Sequence, residues 1–161
     1  MNQIYIAALV AAGLGAGLIA GVFLSFSDFV MRSLSDAAPI AGIEAMQLIN
    51  RRVYRSVFMV HLMGLGPLSV ILAFIGLAYP QAIWVWAGAL VYLIGVMAVT
   101  ARRNVPMNQR LDRMNRHYDT AAAYWGTYMD VWTRWNHIRT GAAGLAALLF
   151  IIAALQMAGA A

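Results

Sequence analysis

The sequence predicts an all-α fold: an integral membrane four-helix bundle with an additional cytoplasmic amphipathic helix and a fourth helix extended into the cytoplasm. Three observations lead there. Apolar residues make up 63% of the chain and charged residues only 11%, with a mean hydropathy of +0.73, far outside the soluble globular range. The charge is also segregated: all eleven basic residues are arginines, confined to Arg32, Arg51, Arg52, Arg55, Arg102, Arg103, Arg110, Arg113, Arg116, Arg134 and Arg139. This leaves four long stretches with no charge, each at or above the roughly 20 residues that carry a helix across about 30 Å of hydrocarbon.

The first span covers about residues 4–27. Its N-terminal Met1-Asn-Gln lacks the basic region of a cleavable signal and its apolar run is too long for one, so it is expected to stay in the membrane. Gly13, Gly17 and Gly21 repeat every four residues, a spacing that lets a neighbouring backbone approach closely and that would also serve homo-oligomer contacts. Helical spacing carries the same face through Ser25 to Asp28 and Arg32, an i, i+4 pair in which the acid at the membrane edge is either neutralised or useful.

The second helix is expected to begin near Ile43 and run unbroken to Gly64 and Pro67, with its membrane portion at about 56–79. Asn50, Tyr54 and His61 then share one stripe, within roughly 20° of each other. His61 is the one ionisable side chain inside a span apart from tyrosine. It is a candidate base, since histidine titrates nearest neutrality, or a neutral donor to a neighbouring carbonyl; both readings stand. Tyr79-Pro80-Gln81 is too short for anything but a tight hairpin into the third span, about 81–101.

Residues 102–139 form a polar island holding seven of the eleven arginines. Met107, Leu111, Met114 and Tyr118 lie on one side of an amphipathic surface helix over Met107–Tyr118, with Pro106 suited to its first turn. From Asp119 onward nothing breaks a helix, so the fourth is expected to project before entering the membrane at about 140–160. Trp125, Tyr128, Trp132, Asn136 and Arg139 then fall within roughly 80° on it. Trp125 and Trp135 read as interfacial anchors. Trp132, Asn136 and Arg139 combine aromatic surface, amide and fixed cation, a set suited to a flat aromatic ligand with oxygen substituents. Asp130, Arg134 and His137 point the other way.

Because the arginines sit in the first and third connections, the positive-inside rule places 32–55 and 102–139 in the cytoplasm and both termini outside, in a multi-pass protein of the inner (plasma) membrane. The chain reads as one domain over 1–161. Without cysteine it has no disulfide or thiolate site. Its +5 net charge lies next to the membrane, where it sets topology and attracts anionic lipid, so the lipid bilayer is the expected partner and nucleic acid is not.

Gly17 and Gly21 with Phe23, Val30-Met-Arg-Ser-Leu34, Ala45-Met-Gln-Leu-Ile-Asn50, Asn104-Val-Pro-Met-Asn108 with Leu111, and Trp132-xxx-Asn136-xx-Arg139 together resemble the anthrone oxygenase family, small four-helix membrane proteins. The likeness spans nearly the whole chain, and its specific part is the ordered pair Asn-x-Pro-x-Asn and Trp-x3-Asn-x2-Arg. The resemblance implies a membrane-bound oxygenase. Fungal members oxidise anthrones to anthraquinones with molecular oxygen and are described as needing no added cofactor, so none is expected here beyond O2.

An anthrone has an acidic benzylic C–H, and its anion is electron-rich enough to reduce oxygen directly, which leaves the protein to bind, deprotonate and stabilise. In this scheme His61 is the base, Arg139 with Asn136 and Asn108 stabilises oxyanion charge, and Trp132 and Tyr54 cover the ring faces. Asn50 and Asn104 complete the substrate-binding set, and no metal site is expected. Two alternatives remain. One is haem ligation, for which His61 is the best of three histidines, with His117 and His137. The other is non-enzymatic binding of a lipid, quinone or partner subunit.

Overall fold

In a computed structural model, which describes residues 2–160, every regular element is a helix. Helix α1 (Asn2–Ser25) passes through a π-helical turn, Phe26–Val30, into α2 (Met31–Asp36). Then come α3 (Pro39–Val53) and α4 (Val57–Gly76). Helix α5 (Ala82–Val91) continues through π-helical segments Tyr92–Ala98 and Thr100–Asn104 into α6 (Val105–Asp112), and α7 (Asp119–Gly159) closes the chain. Four helices are long and apolar enough to cross a membrane: Gln3–Asp36, Val57–Gly76, Ala82–Asp112 and Asp119–Gly159. They overlap the four expected spans and extend the first, third and fourth well into the polar segments.

These four contact one another in the ring order α1, α4, α5, α7. The seam between α1 and α7 is built from small residues. On α1, Leu9, Ala12, Ala16, Ile19 and Phe23 are buried at helical spacing, and on α7, Ala143, Ala146, Phe150, Ala153 and Ala154 meet them. In lipid no hydrophobic drive pulls helices together, so close backbone approach and dispersion must do it.

The glycine face of α1 is divided. A Cβ on Gly13 would meet Ile151 and the Ala147 carbonyl of α7, whereas one on Gly17 or Gly21 would meet nothing within 4 Å, since both face outward. The tightest approach is elsewhere: a Cβ on Gly95 would collide with that of Ala142 on α7. Gly95→Val is therefore expected to lower the unfolding free energy in mild detergent by about 1–3 kcal/mol. Gly144→Ala, in open space, serves as the control and is expected to change it by less than about 0.5 kcal/mol.

A second core sits at the polar end, where Met31, Ile43, Met46, Leu111, Ala121, Tyr124, Trp125, Tyr128 and Trp132 pack together. It overturns several expectations. The second helix is not continuous: Ser56 adopts an extended conformation and its hydroxyl accepts from the Met59 N–H while donating to the Val53 carbonyl, so α3 stops and α4 starts afresh. Gly64 and Pro67 lie inside α4 and do not break it. The amphipathic segment is not a separate surface helix but the end of the third long helix. It stops at Asp112 because Gln47 donates to the Leu111 and Met114 carbonyls and caps it from α3.

Trp125 is no interfacial anchor. It is buried, stacked on Tyr128 at 5.6 Å and set over Gly42. Trp135, half-buried, instead carries the Arg103 guanidinium 4.6 Å from its ring centre. Asp28 and Arg32 do not pair. Among the described residues the ion pairs are Arg51–Asp112, Arg116–Glu44 and Arg134–Asp130, and the π-helical turn around Asp28 removes the α-helical offset on which that pairing depended.

Candidate functional site

Where the two cores meet, a half-open cleft with a cavity volume of about 90 Å³ is bounded by α1 and its π turn, α3, the start of α4, the π-helical end of the third helix, and α7. Its walls are mostly apolar, with Phe23, Phe26, Met46, Phe58, Leu62 and Trp132 among them. Asn50, Tyr54 and Asn108 form a rim shared with a second, polar hollow that also takes in Arg51, Arg55, Gln109 and Asp112. An apolar slot thus opens through three polar side chains into a charged vestibule.

Arg139 is the one charged residue lining the slot. Only 5% exposed, it belongs to none of the ion pairs among the described residues. Its Nη2 donates to Asn136 Oδ1 at 2.6 Å and its Nη1 weakly to Thr100 Oγ1 at 3.4 Å, while Nε has no partner. The guanidinium lies 4.3 Å from the Phe23 ring centre and 5.2 Å from that of Trp132. Ring faces attract a cation, but they do not neutralise it. Burying an unpaired charge costs several kcal/mol by general estimates, so this one is held in place by its neighbours without being neutralised by them.

The geometry comes from Asn136. Its Nδ2 donates to the Phe23 carbonyl and to Ser27 Oγ, both at 2.6 Å, so both amide N–H groups are committed and α1 is latched to α7. Ser27 reaches it from the Phe26–Val30 π turn. On the opposite wall the Thr100–Asn104 π segment presents Thr100 to Arg139, and Asn104 Nδ2 to the Trp132 carbonyl at 3.2 Å. Two of the three π segments thus supply site residues, as such segments often do.

Asn108 is oriented as firmly: its Oδ1 accepts from Tyr128 Oη and Trp132 Nε1, each at 2.7 Å, which leaves its Nδ2 as the free donor. Tyr128 in turn stacks on Trp132 and on Trp125, so the indole facing the slot is backed by a rigid aromatic column.

Of the residues singled out from sequence, Asn50, Tyr54, Asn104, Asn108, Trp132, Asn136 and Arg139 all line this cleft. His61 does not. The break at Ser56 cancels the stripe that joined it to Asn50 and Tyr54; the imidazole is exposed and packs over α1, with Nε2 2.7 Å from where a Cβ on Gly15 would stand. His117 and His137 are exposed on other segments. No three His, Cys, Asp or Glu side chains converge on a metal-sized site among the described residues.

Sequence reasoning missed Thr100, Ser27 and Phe58. Thr100 and Ser27 are small polar residues at the ends of apolar spans, and the i, i+4 spacing of Thr100 to Asn104 and of Ser27 to Phe23 was the available signal.

Residues 51–149, more than half of the chain, match the family model described as anthrone oxygenase. The chain belongs to that family. No curated protein and no solved structure matches it. The matched stretch contains Tyr54, Asn104, Asn108, Trp132, Asn136 and Arg139, while the α1 wall and Asn50 lie outside it.

Proposed function

We propose that this member of the anthrone oxygenase family binds a flat, oxygen-substituted aromatic substrate of the anthrone or hydroquinone type in the cleft and drives its oxidation by O2, at the cytoplasmic end of four helices in the inner membrane. The observation that carries the reading is Arg139: a buried guanidinium with no carboxylate, its Nε–H unfilled, set in an aromatic slot. Such a group stabilises negative charge far more than it would in water.

In the proposed chemistry the substrate CH2 loses a proton, and the resulting enolate oxygen rests on Arg139 and on the Asn108 amide, while Trp132 covers the ring. The anion passes one electron to O2, and the two radicals combine to a hydroperoxide on the former CH2 carbon. Loss of water from C–H and O–OH then leaves the carbonyl. One O2 is consumed and one water released per carbonyl formed.

No carboxylate or imidazole lines the slot, so the proton is proposed to leave to water in the vestibule rather than to a side-chain base. The expected signature is kcat/KM rising about tenfold per pH unit until the substrate's own ionisation is reached, with no break near neutrality. His61→Ala is expected to leave that profile unchanged; a break that vanishes in this variant would restore His61 as the base.

Oxygen uptake by the purified protein, with a panel of anthrones and hydroquinones, tests the reading directly. With anthrones uptake should match carbonyl formed one to one, with hydroquinones one O2 should be reduced to hydrogen peroxide per quinone formed, and either rate should exceed the protein-free rate by about a hundredfold or more. Uptake no faster than in its absence, across the panel, would make the cleft a binding site without this chemistry.

A further inference from the structure

We infer that Asn104 is a specificity-determining residue that reads a hydroxyl group on the substrate, through an acceptor the folded chain leaves open. This rests on the cleft being the oxygenase site proposed above.

Asn104 is 1% exposed and lines the cleft. Its amide cannot turn over, because Nδ2 faces the Trp132 carbonyl and the reverse orientation would set oxygen against oxygen. Oδ1 is consequently fixed, and it has no hydrogen-bond partner. The other open polar atoms around it are donors: Arg139 Nε and Asn50 Nδ2 are both without partners, and Asn108 has only its Nδ2 left once Oδ1 has accepted from Tyr128 and Trp132. Both Asn136 N–H groups are used, and its Oδ1 already accepts from Arg139.

The slot therefore offers several donors and one buried acceptor that has no partner of its own. A ligand bearing only carbonyl or ether oxygens satisfies the donors and strands Asn104 Oδ1; a ligand bearing an oxyanion and a neighbouring O–H satisfies both. Thr100, one helical turn before Asn104 on the same π segment, binds Arg139, so acceptor and cation belong to one wall and can address oxygens on one edge of a ring system. Leaving a buried acceptor unpaired is what makes a polar site reject an analogue lacking the hydroxyl.

The test uses two anthrones that differ only in having a hydroxyl or a hydrogen beside the carbonyl, assayed by oxygen uptake with wild type, Asn104→Leu and Asn104→Ala. Wild type is expected to prefer the hydroxylated substrate by about 10- to 100-fold in kcat/KM. That preference should shrink to within about twofold of the uncatalysed ratio in the variants. A preference that persists in the variants belongs to intrinsic reactivity or to another residue and overturns the inference, as does a wild-type ratio equal to the uncatalysed one. Should neither compound be turned over, the oxygenase reading fails separately. Dissociation constants of the same pair for wild type, from quenching of tryptophan fluorescence, then decide: the same preference supports the inference and equal affinities end it. That measurement also decides if the variants fail to accumulate.

Discussion

Arg139→Gln is expected to lower kcat for anthrone oxidation by about 10²- to 10³-fold, the loss typical when one preorganised oxyanion donor is removed. The substitution is a clean one. Glutamine keeps an amide N–H near Asn136 Oδ1, the one strong hydrogen bond Arg139 makes, and removing an unpaired buried charge relieves a cost, so the protein should accumulate at least as well as wild type. Arg139→Lys retains the charge but loses the planar fork between the Phe23 and Trp132 rings and should recover only part of the rate. The check is oxygen uptake under saturating substrate alongside thermal unfolding in detergent. If Arg139→Gln keeps kcat within about threefold, charge stabilisation at this position is not what the cleft provides.

The second large effect is expected at Asn136, where two variants separate scaffold from chemistry. Asn136→Leu strands the Phe23 carbonyl, Ser27 Oγ and Arg139 Nη2 together, and should cost about 2–4 kcal/mol of unfolding free energy. Asn136→Asp does the reverse to the charge: it sets a carboxylate on Arg139, completing the ion pair the fold omits, although its second oxygen faces the Phe23 carbonyl and can keep only the Ser27 contact, by accepting from the hydroxyl. The guanidinium is then no longer free for a substrate oxyanion, and kcat should fall on the order of 10²-fold while the protein still accumulates. Denaturation in mixed micelles and oxygen uptake, measured on both variants, distinguish the two. A kcat for Asn136→Asp within about threefold of wild type would mean that Asn136 acts only as a latch.

Much of this cleft was legible in the sequence because α7 is a regular helix, and regular helices preserve phase. Trp132, Asn136 and Arg139 could be placed on one face by counting, and all three line the slot. Counting failed where the backbone changes its period. His61 was aligned with Asn50 and Tyr54 across a segment that Ser56 interrupts; a serine in an apolar run reads equally well as a helical residue or as a cap, and only the extended backbone there distinguishes them. Asp28 and Arg32 were paired across a π-helical turn, where four residues no longer make one turn. Trp125 was misplaced for a different reason. A tryptophan in a polar stretch is usually a membrane anchor, and the second core that buries it requires α3 to fold back over α7, a tertiary event no local pattern announces.

The length of α7 has a mechanical consequence. Its 41 residues make a rod of about 60 Å, one half gripped by α1 and α5 and the other carrying the cation and the indole. A rigid rod transmits rotation undiminished, like a camshaft. One residue inserted near Gly141, between the gripped half and the site, would turn Arg139, Asn136 and Trp132 by about 100° away from the slot. The facing walls are built with slack: α1 and the third helix each reach the cleft through π-helical turns, where an extra residue is already accommodated. Changes in chain length should therefore be least tolerated between Trp132 and Ala146, where one added residue swings the cation, the amide and the indole together.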